Sequence, residues 1–132
     1  MDEPLSNLDA KLRNRMRFEL RRLHEMHGTT TLYVTHDQIE AMTLADRIAI
    51  IADGHLQQHA RPLDAYNSPA NSFVGSFLGT PAMNLIEGTV KDGVFEAREL
   101  KFKLPDHLAH WDGPGIFGVR PEDVRILSLI HI

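Results

Sequence analysis

An α/β layer followed by a β-rich second domain is the fold class that this chain of 132 residues predicts. Three observations carry it. Apolar residues recur at intervals of three or four between about residues 9 and 27, the period of one helix face. Two β-branched, apolar runs then alternate with a second short helical pattern, an order that packs helices on a sheet. Beyond residue 80 the chain changes to short β-like pieces separated by Asp-Gly, Pro and Gly-Pro turns.

Each element follows from its residues. Leu8, Leu12, Met16, Leu20, Leu23 and Met26 form the apolar stripe of the first helix, with Asp9 as its N-cap. Gly28 ends it, and Thr29-Thr30-Thr31-Leu32-Tyr33-Val34-Thr35 is β-branched and aromatic, the composition of a strand. Asp37 begins a short helix to about residue 45, with Ile39, Met42 and Leu44 turned inward. Arg47-Ile48-Ala49-Ile50-Ile51-Ala52 has the continuous apolar character of a buried strand. Asp53-Gly54 is a hairpin turn leading into an edge strand, His55-Leu56-Gln57-Gln58-His59. Pro62 opens a helical turn, and residues 70–78 supply another short helix carrying Phe73, Val74 and Phe77. Strands are predicted around 85–90, 93–97, 101–104, 115–119 and 124–127. A domain boundary falls near residue 80.

Composition limits the function classes. A net charge of −4 offers no global attraction to nucleic acid or anionic lipid. The absence of cysteine excludes disulfides, thiolate nucleophiles and zinc-thiolate sites. No apolar run approaches the roughly 20 residues that span a bilayer, and the charged start has no signal-peptide core.

The residues that carry chemistry lie early. Met1-Asp2-Glu3-Pro4-Leu5-Ser6-Asn7-Leu8-Asp9 places an acidic pair before an Asp-containing loop, and Thr35-His36-Asp37 places a histidine after the following strand. A magnesium-dependent phosphate-transfer site needs this combination. Magnesium takes hard oxygen ligands and keeps several waters, so one carboxylate acting largely through water serves it. A second carboxylate can polarise an attacking water. Pro4 cannot donate to a sheet ladder, which suits a strand ending there.

Asp-Glu-Pro-Leu-Ser-Asn-Leu-Asp followed by Thr-His-Asp-Gln-x-Glu-Ala resembles the ATP-binding subunit of ABC transporters, whose acidic strand end, D-loop and switch histidine have this wording and order. The resemblance implies the C-terminal part of a P-loop NTPase nucleotide-binding domain over residues 1–80. It implies ATP and Mg2+ as cofactors, with Asp2 as a metal contact and Glu3 as the base that polarises water. His36 would meet the γ-phosphate and fix that water, while Ser6 and Asp9 in the D-loop would sense the nucleotide of a second copy. The implied partners are that second copy and transmembrane permease subunits, at the cytoplasmic face of the membrane.

The second half narrows the resemblance. Ala70-Asn71-Ser72-Phe73-Val74-Gly75-Ser76-Phe77-Leu78-Gly79-Thr80-Pro81-Ala82-Met83-Asn84 and Gly118-Val119-Arg120-Pro121-Glu122-Asp123-Val124 are similar to the linker and first strands of the OB-like regulatory domain in subunits that import maltose or glycerol-3-phosphate. Residues 81–126 are then the start of that domain, where a regulatory protein would bind, and 127–132 are read as a non-native tail. The phosphate-binding loop Gly-x-x-Gly-x-Gly-Lys-[Ser/Thr] and the signature Leu-Ser-Gly-Gly-Gln occur nowhere in the sequence. The expectation is therefore an incomplete β-rich domain, and a chain that is marginally stable and inactive by itself.

Other readings remain. A standalone regulatory or ligand-binding module without ATPase activity is the alternative. The first helix carries Lys11, Arg13, Arg15, Arg17, Arg21 and Arg22 against Glu19 and Glu25. Because these charges alternate around an apolar stripe with no exposed aromatics interleaved, a solvated face is expected rather than a nucleic-acid surface. His24/His27, His55/His59 and His107/His110 have metal-like spacing but no third ligand identifiable in sequence.

Overall fold

Capping residues set the first boundaries of the fold. The computed structural model describes residues 4, 5 and 9–124, in two units that divide after Ala70. In the first unit, helix α1 spans Ala10–His27. Asp9 adopts extended backbone and its Oδ1 accepts from the Leu12 amide at 2.9 Å. At the other end Gly28 takes a left-handed φ of 61° and donates to His24 O at 2.9 Å, a turn glycine makes without Cβ strain. Helix α2 (Gln38–Leu44) is capped in the same manner by Asp37.

Strands β1 (Ile48–Ala52) and β2 (His55–Ala60) form an antiparallel hairpin. Asp53 and Gly54 both have positive φ, 50° and 75°, the two-residue turn whose twist matches its strands. Ile48 and Ile50 are buried with Leu5 and Ala65, while Ile51 faces out. Helix α3 (Pro62–Asn67) starts with proline, whose missing N–H needs no partner there, and it supplies Ala65 to this core. The Gln58 side chain then pins the chain beyond α3, donating to Ser68 O at 3.0 Å and accepting from the Ala70 amide at 2.9 Å.

Several expectations for this unit need correction. Residues 29–35 contain only a single bridge, at Val34, rather than a strand. A strand exists by pairing, and among the described residues no neighbouring strand forms a ladder with this segment. The sheet is a two-stranded antiparallel hairpin, and β1 buries alternate residues instead of being covered on both faces. On α1 the apolar stripe does not define the buried side. Leu12, Leu23 and Met26 are exposed, and the buried residue is Arg17. On α2, Ile39 is exposed and Glu40 is buried, because polar groups converge on that carboxylate.

The second unit opens with helix α4 (Ser72–Phe77), capped by Asn71, whose side chain accepts from the Val74 amide at 2.9 Å. An antiparallel sheet of order β5-β4-β3-β6 follows, from β3 (Asn84–Lys91), β4 (Val94–Ala97), β5 (Leu100–Lys103) and β6 (Gly113–Val119). Asp92 and Gly93, both at positive φ, make the β3–β4 turn. Val90, Phe95 and Ala97 are the buried centre, joined by half-buried Phe102 and Phe117. Phe102 and Phe117 meet edge to face at 4.8 Å, the arrangement ring quadrupoles favour.

Gly88 and Gly115 lie opposite each other on β3 and β6, beneath the Phe95 ring. A Cβ on Gly88 would stand 2.6 Å from Glu96 O, so the close approach requires glycine. After β6 the chain turns through a short 3-10 segment, Pro121–Asp123. Val124 is not in a strand, and the rest of the strand expected at 124–127 lies outside the described residues.

Candidate functional site

The loop between α1 and α2 ends in Thr35-His36-Asp37, and its geometry is set by side chains on either side of the histidine. Asp37 divides its carboxylate between two helices. Oδ1 accepts from the amides of Ile39 (2.8 Å) and Glu40 (3.2 Å), capping α2. Oδ2 takes Arg17 Nη2 at 2.6 Å and lies 3.9 Å from Arg13 Nη1, both on α1. Thr35 Oγ1 accepts from the Asp37 amide at 2.9 Å and donates to Glu40 Oε2 at 2.7 Å.

Glu40 is the hub of this network, its side chain 4% exposed. Tyr33 Oη donates to its Oε2 at 2.9 Å, and its Oε1 stands 3.6 Å from Arg17 Nη2. Arg17 Nη1 also donates to Asn14 Oδ1 at 2.8 Å. Burial, then the hydrogen bond to Glu40, pushes the Tyr33 phenol far above its ordinary range, so it stays a donor. Charge-assisted bonds of this kind are about twice as strong as neutral ones. Within this frame His36 sits on the exposed surface of a bend.

A second cluster joins the same helices further along. Arg21 donates to Asp46 Oδ1 at 2.9 Å, to Glu25 Oε1 at 2.7 Å and to Leu44 O at 3.0 Å, closing the C-terminal end of α2. His24 Nε2 lies 3.3 Å from Asp46 Oδ2. The Arg21 hydrogen bond, followed by that of His24, holds the Asp46 carboxyl below its usual value.

In the second unit Arg120 is buried, and its Nη1 donates to Gly75 O at 3.0 Å and to Leu78 O. Both carbonyls belong to the end of α4, where helical acceptors lack intrahelical partners.

A protein-family model described as the MalK OB fold domain matches residues 79–124. The chain is 52% identical over 94% of its length to the trehalose/maltose import ATP-binding protein MalK of Thermococcus litoralis, covering 36% of that protein. It is 51% identical over 96% of its length to the xylose/arabinose import ATP-binding protein XacK of Haloferax volcanii, covering 34%. It is 49% identical over 95% of its length to the oligosaccharides import ATP-binding protein MsmX of Bacillus subtilis, covering 36%. The chain is a homologue of sugar-import ABC ATP-binding proteins. It spans little more than a third of the length of these relatives.

The positions expected for chemistry in such a homologue are only partly within the described residues. Asp2, Glu3 and Ser6 lie outside them. Asp9 is present as the cap of α1 and His36 as the exposed member of the pinned loop. Among the described residues no group of three acidic or histidine side chains is placed to hold a metal. His59 Nε2 instead accepts from Arg47 Nε at 3.1 Å. Also among the described residues, no helix is long and apolar enough to cross a membrane.

Sequence reasoning missed Arg17 and Glu40. It counted Arg17 with a solvated charged face, whereas the side chain is 10% exposed and engaged by carboxylates. The available signal was the spacing Asp9, Arg13, Arg17, which puts all three on one face of α1. Glu40 stood within the quoted motif, but its role depended on the packing of Tyr33 and Thr35 around it.

Proposed function

We propose that this chain is part of an ATP-binding and ATP-hydrolysing subunit that energises import of a sugar or glycerol-3-phosphate. The observation that carries the reading is an exposed histidine, His36, whose two neighbours are each anchored by buried or half-buried side chains. Such a loop presents an imidazole at low conformational cost, and preorganisation is what a phosphate-contacting donor requires. Identity of about half to sugar-import ATP-binding proteins supports the substrate class.

In this reading residues 1–80 are the C-terminal portion of the nucleotide-binding domain and residues 81–126 begin the OB-like regulatory domain. ATP supplies the transferable γ-phosphoryl group and Mg2+ the charge that neutralises its oxygens. His36 donates to an anionic phosphate oxygen and orients water. Glu3 accepts that water's proton, and Asp2 offers a hard carboxylate oxygen to the metal. Ser6 and Asp9 face the second copy of the subunit, with Asp9 Oδ1 already committed to capping α1. In this reading His36 is the described residue that meets the γ-phosphate. The phosphate-cradling loop and the signature sequence are not among these 132 residues; in this reading the complete subunit works with permease partners at the inner face of the membrane.

The test is ATP hydrolysis by the complete subunit in its transport complex with His36→Ala. A fall of about 10²–10⁴ in turnover is expected for loss of a group positioned at the reacting phosphate. Full activity in this variant would refute the role of His36.

A further inference from the structure

We propose that Arg17 is a positioning residue for His36, holding both of its chain neighbours from α1; the inference rests on the functional reading of His36 given above. Arg17 reaches the residue after the histidine directly, with Nη2 2.6 Å from Asp37 Oδ2. It reaches the residue before it through one intermediary, since Glu40 Oε1 lies 3.6 Å from Nη2 and Glu40 Oε2 accepts from Thr35 at 2.7 Å. The backbone on both sides of His36 is thus referred to one guanidinium.

The same arrangement ties the histidine to the start of α1. Arg13 and Arg17 stand four residues apart on one face of α1, and Asp9, the N-cap, precedes Arg13 by the same step. Asp9 caps the helix at the loop expected to face the second copy, and both arginines are directed at Asp37 Oδ2. A displacement of α1 along its axis would carry Arg17 with it, and Asp37 would transmit that displacement to His36. A planar, forked cation suits this task better than lysine, because its two terminal nitrogens serve Asn14 and Asp37 at fixed angles.

Stability alone does not account for the arrangement. Burying a charged pair is costly, and apolar side chains of similar volume in place of both partners often serve the fold as well or better. Arg17 and Glu40 are buried while the residue they frame is exposed. Their common product is the fixed orientation of one loop.

The experiment is steady-state ATP hydrolysis by the complete subunit in its transport complex. It compares Arg17→Met, Arg17→Lys, Asp37→Asn, His36→Ala and the double variant Arg17→Met with His36→Ala. Arg17→Met should lower kcat on the order of tenfold or more with KM for ATP unchanged, as misplacement of a reacting contact does. Arg17→Lys should recover only part of the loss. In the double variant the loss should equal that of His36→Ala alone, because both act on one contact. Losses that multiply, or a raised KM with unchanged kcat, would overturn the inference. Asp37→Asn keeps the cap of α2 but weakens the hold of Arg17. If Arg17→Met does not fold, Asp37→Asn decides: a matching fall in kcat supports the proposal and an unchanged kcat rejects it. A fully active His36→Ala would instead remove the functional reading itself.

Discussion

Tyr33 and Glu40, seven residues apart, are joined by a 2.9 Å hydrogen bond that turns the end of the loop onto α2. The bond matters because Glu40 is buried and charged, and a buried carboxylate is tolerated only when its lone pairs are met. Tyr33, Thr35 and Arg17 meet them. Tyr33→Phe should therefore destabilise the protein by about 1.5–3 kcal/mol, the range for a hydrogen bond to a charged group. Glu40→Leu should cost more, about 3–5 kcal/mol, because Arg17 loses one of its carboxylate partners in a buried position. Urea denaturation of both variants measures this, and equal effects would contradict the hub role of Glu40.

Acid sensitivity should report on Asp46. Its carboxyl is held below the ordinary value of 3.8 by the Arg21 hydrogen bond and then by that of His24. A carboxyl whose folded value is depressed binds fewer protons folded than unfolded. Its contribution is then present above the unfolded value and is lost as pH falls through the folded one. The site is open to solvent, so the effect is small and screened by salt. Resonances of Asp46 followed from neutral to strongly acidic pH should titrate below those of a free aspartate, and Arg21→Gln should bring them back up.

Much of the first unit was legible because its boundaries are local chemistry. Asp9 and Asp37 as caps, Gly28 as the helix stop and Asp53-Gly54 as the hairpin turn are decided by backbone hydrogen bonds within a few residues. Residues 29–35 were not legible, since β-branched composition states a preference and pairing depends on a neighbour that composition does not supply. The buried face of α1 was misread for a related reason. Periodicity locates an apolar stripe but not a cation drawn inward by Asp37 and Glu40, which are 20 and 23 positions further along. Of the site, His36 stood out by its motif, whereas the residues that orient it became visible only through distances.

Gly88→Ala tests the close packing of the second unit. The added methyl would meet Glu96 O at 2.6 Å and the Ala97 Cβ at 2.9 Å, inside ordinary contact. One neighbour is backbone in β4 and cannot rotate away. Overpacking of this kind costs about 1–3 kcal/mol, so the melting temperature should fall. Gly54→Asn is the control, because a Cβ there meets nothing within 4 Å and asparagine tolerates positive φ. A Gly88→Ala protein as stable as the control would show that β3 and β4 can separate more freely than the aromatic packing indicates.

The buried guanidinium of Arg120 donates to two main-chain carbonyls at one helix end. Nη1 donates to Gly75 O and Leu78 O, and Leu78 itself is 1% exposed. The arginine thus closes the C-terminal end of α4 from a position 42 residues beyond Leu78. Negative partial charge collects at the C-terminal end of a helix, which favours a cation there. Arg120→Met keeps most of the volume but leaves both carbonyls without that donor. Each unmet buried acceptor costs about 1–3 kcal/mol, so the variant should unfold at lower denaturant than the parent. Arg120→Lys should be intermediate, because an ammonium can reach one carbonyl but lacks the fork. Hydrogen exchange at the amides of Ser76, Phe77 and Leu78 locates the effect: faster exchange there, with β3 and β4 unchanged, is the expected pattern, and uniform acceleration would show that Arg120 supports the whole unit instead of this helix end.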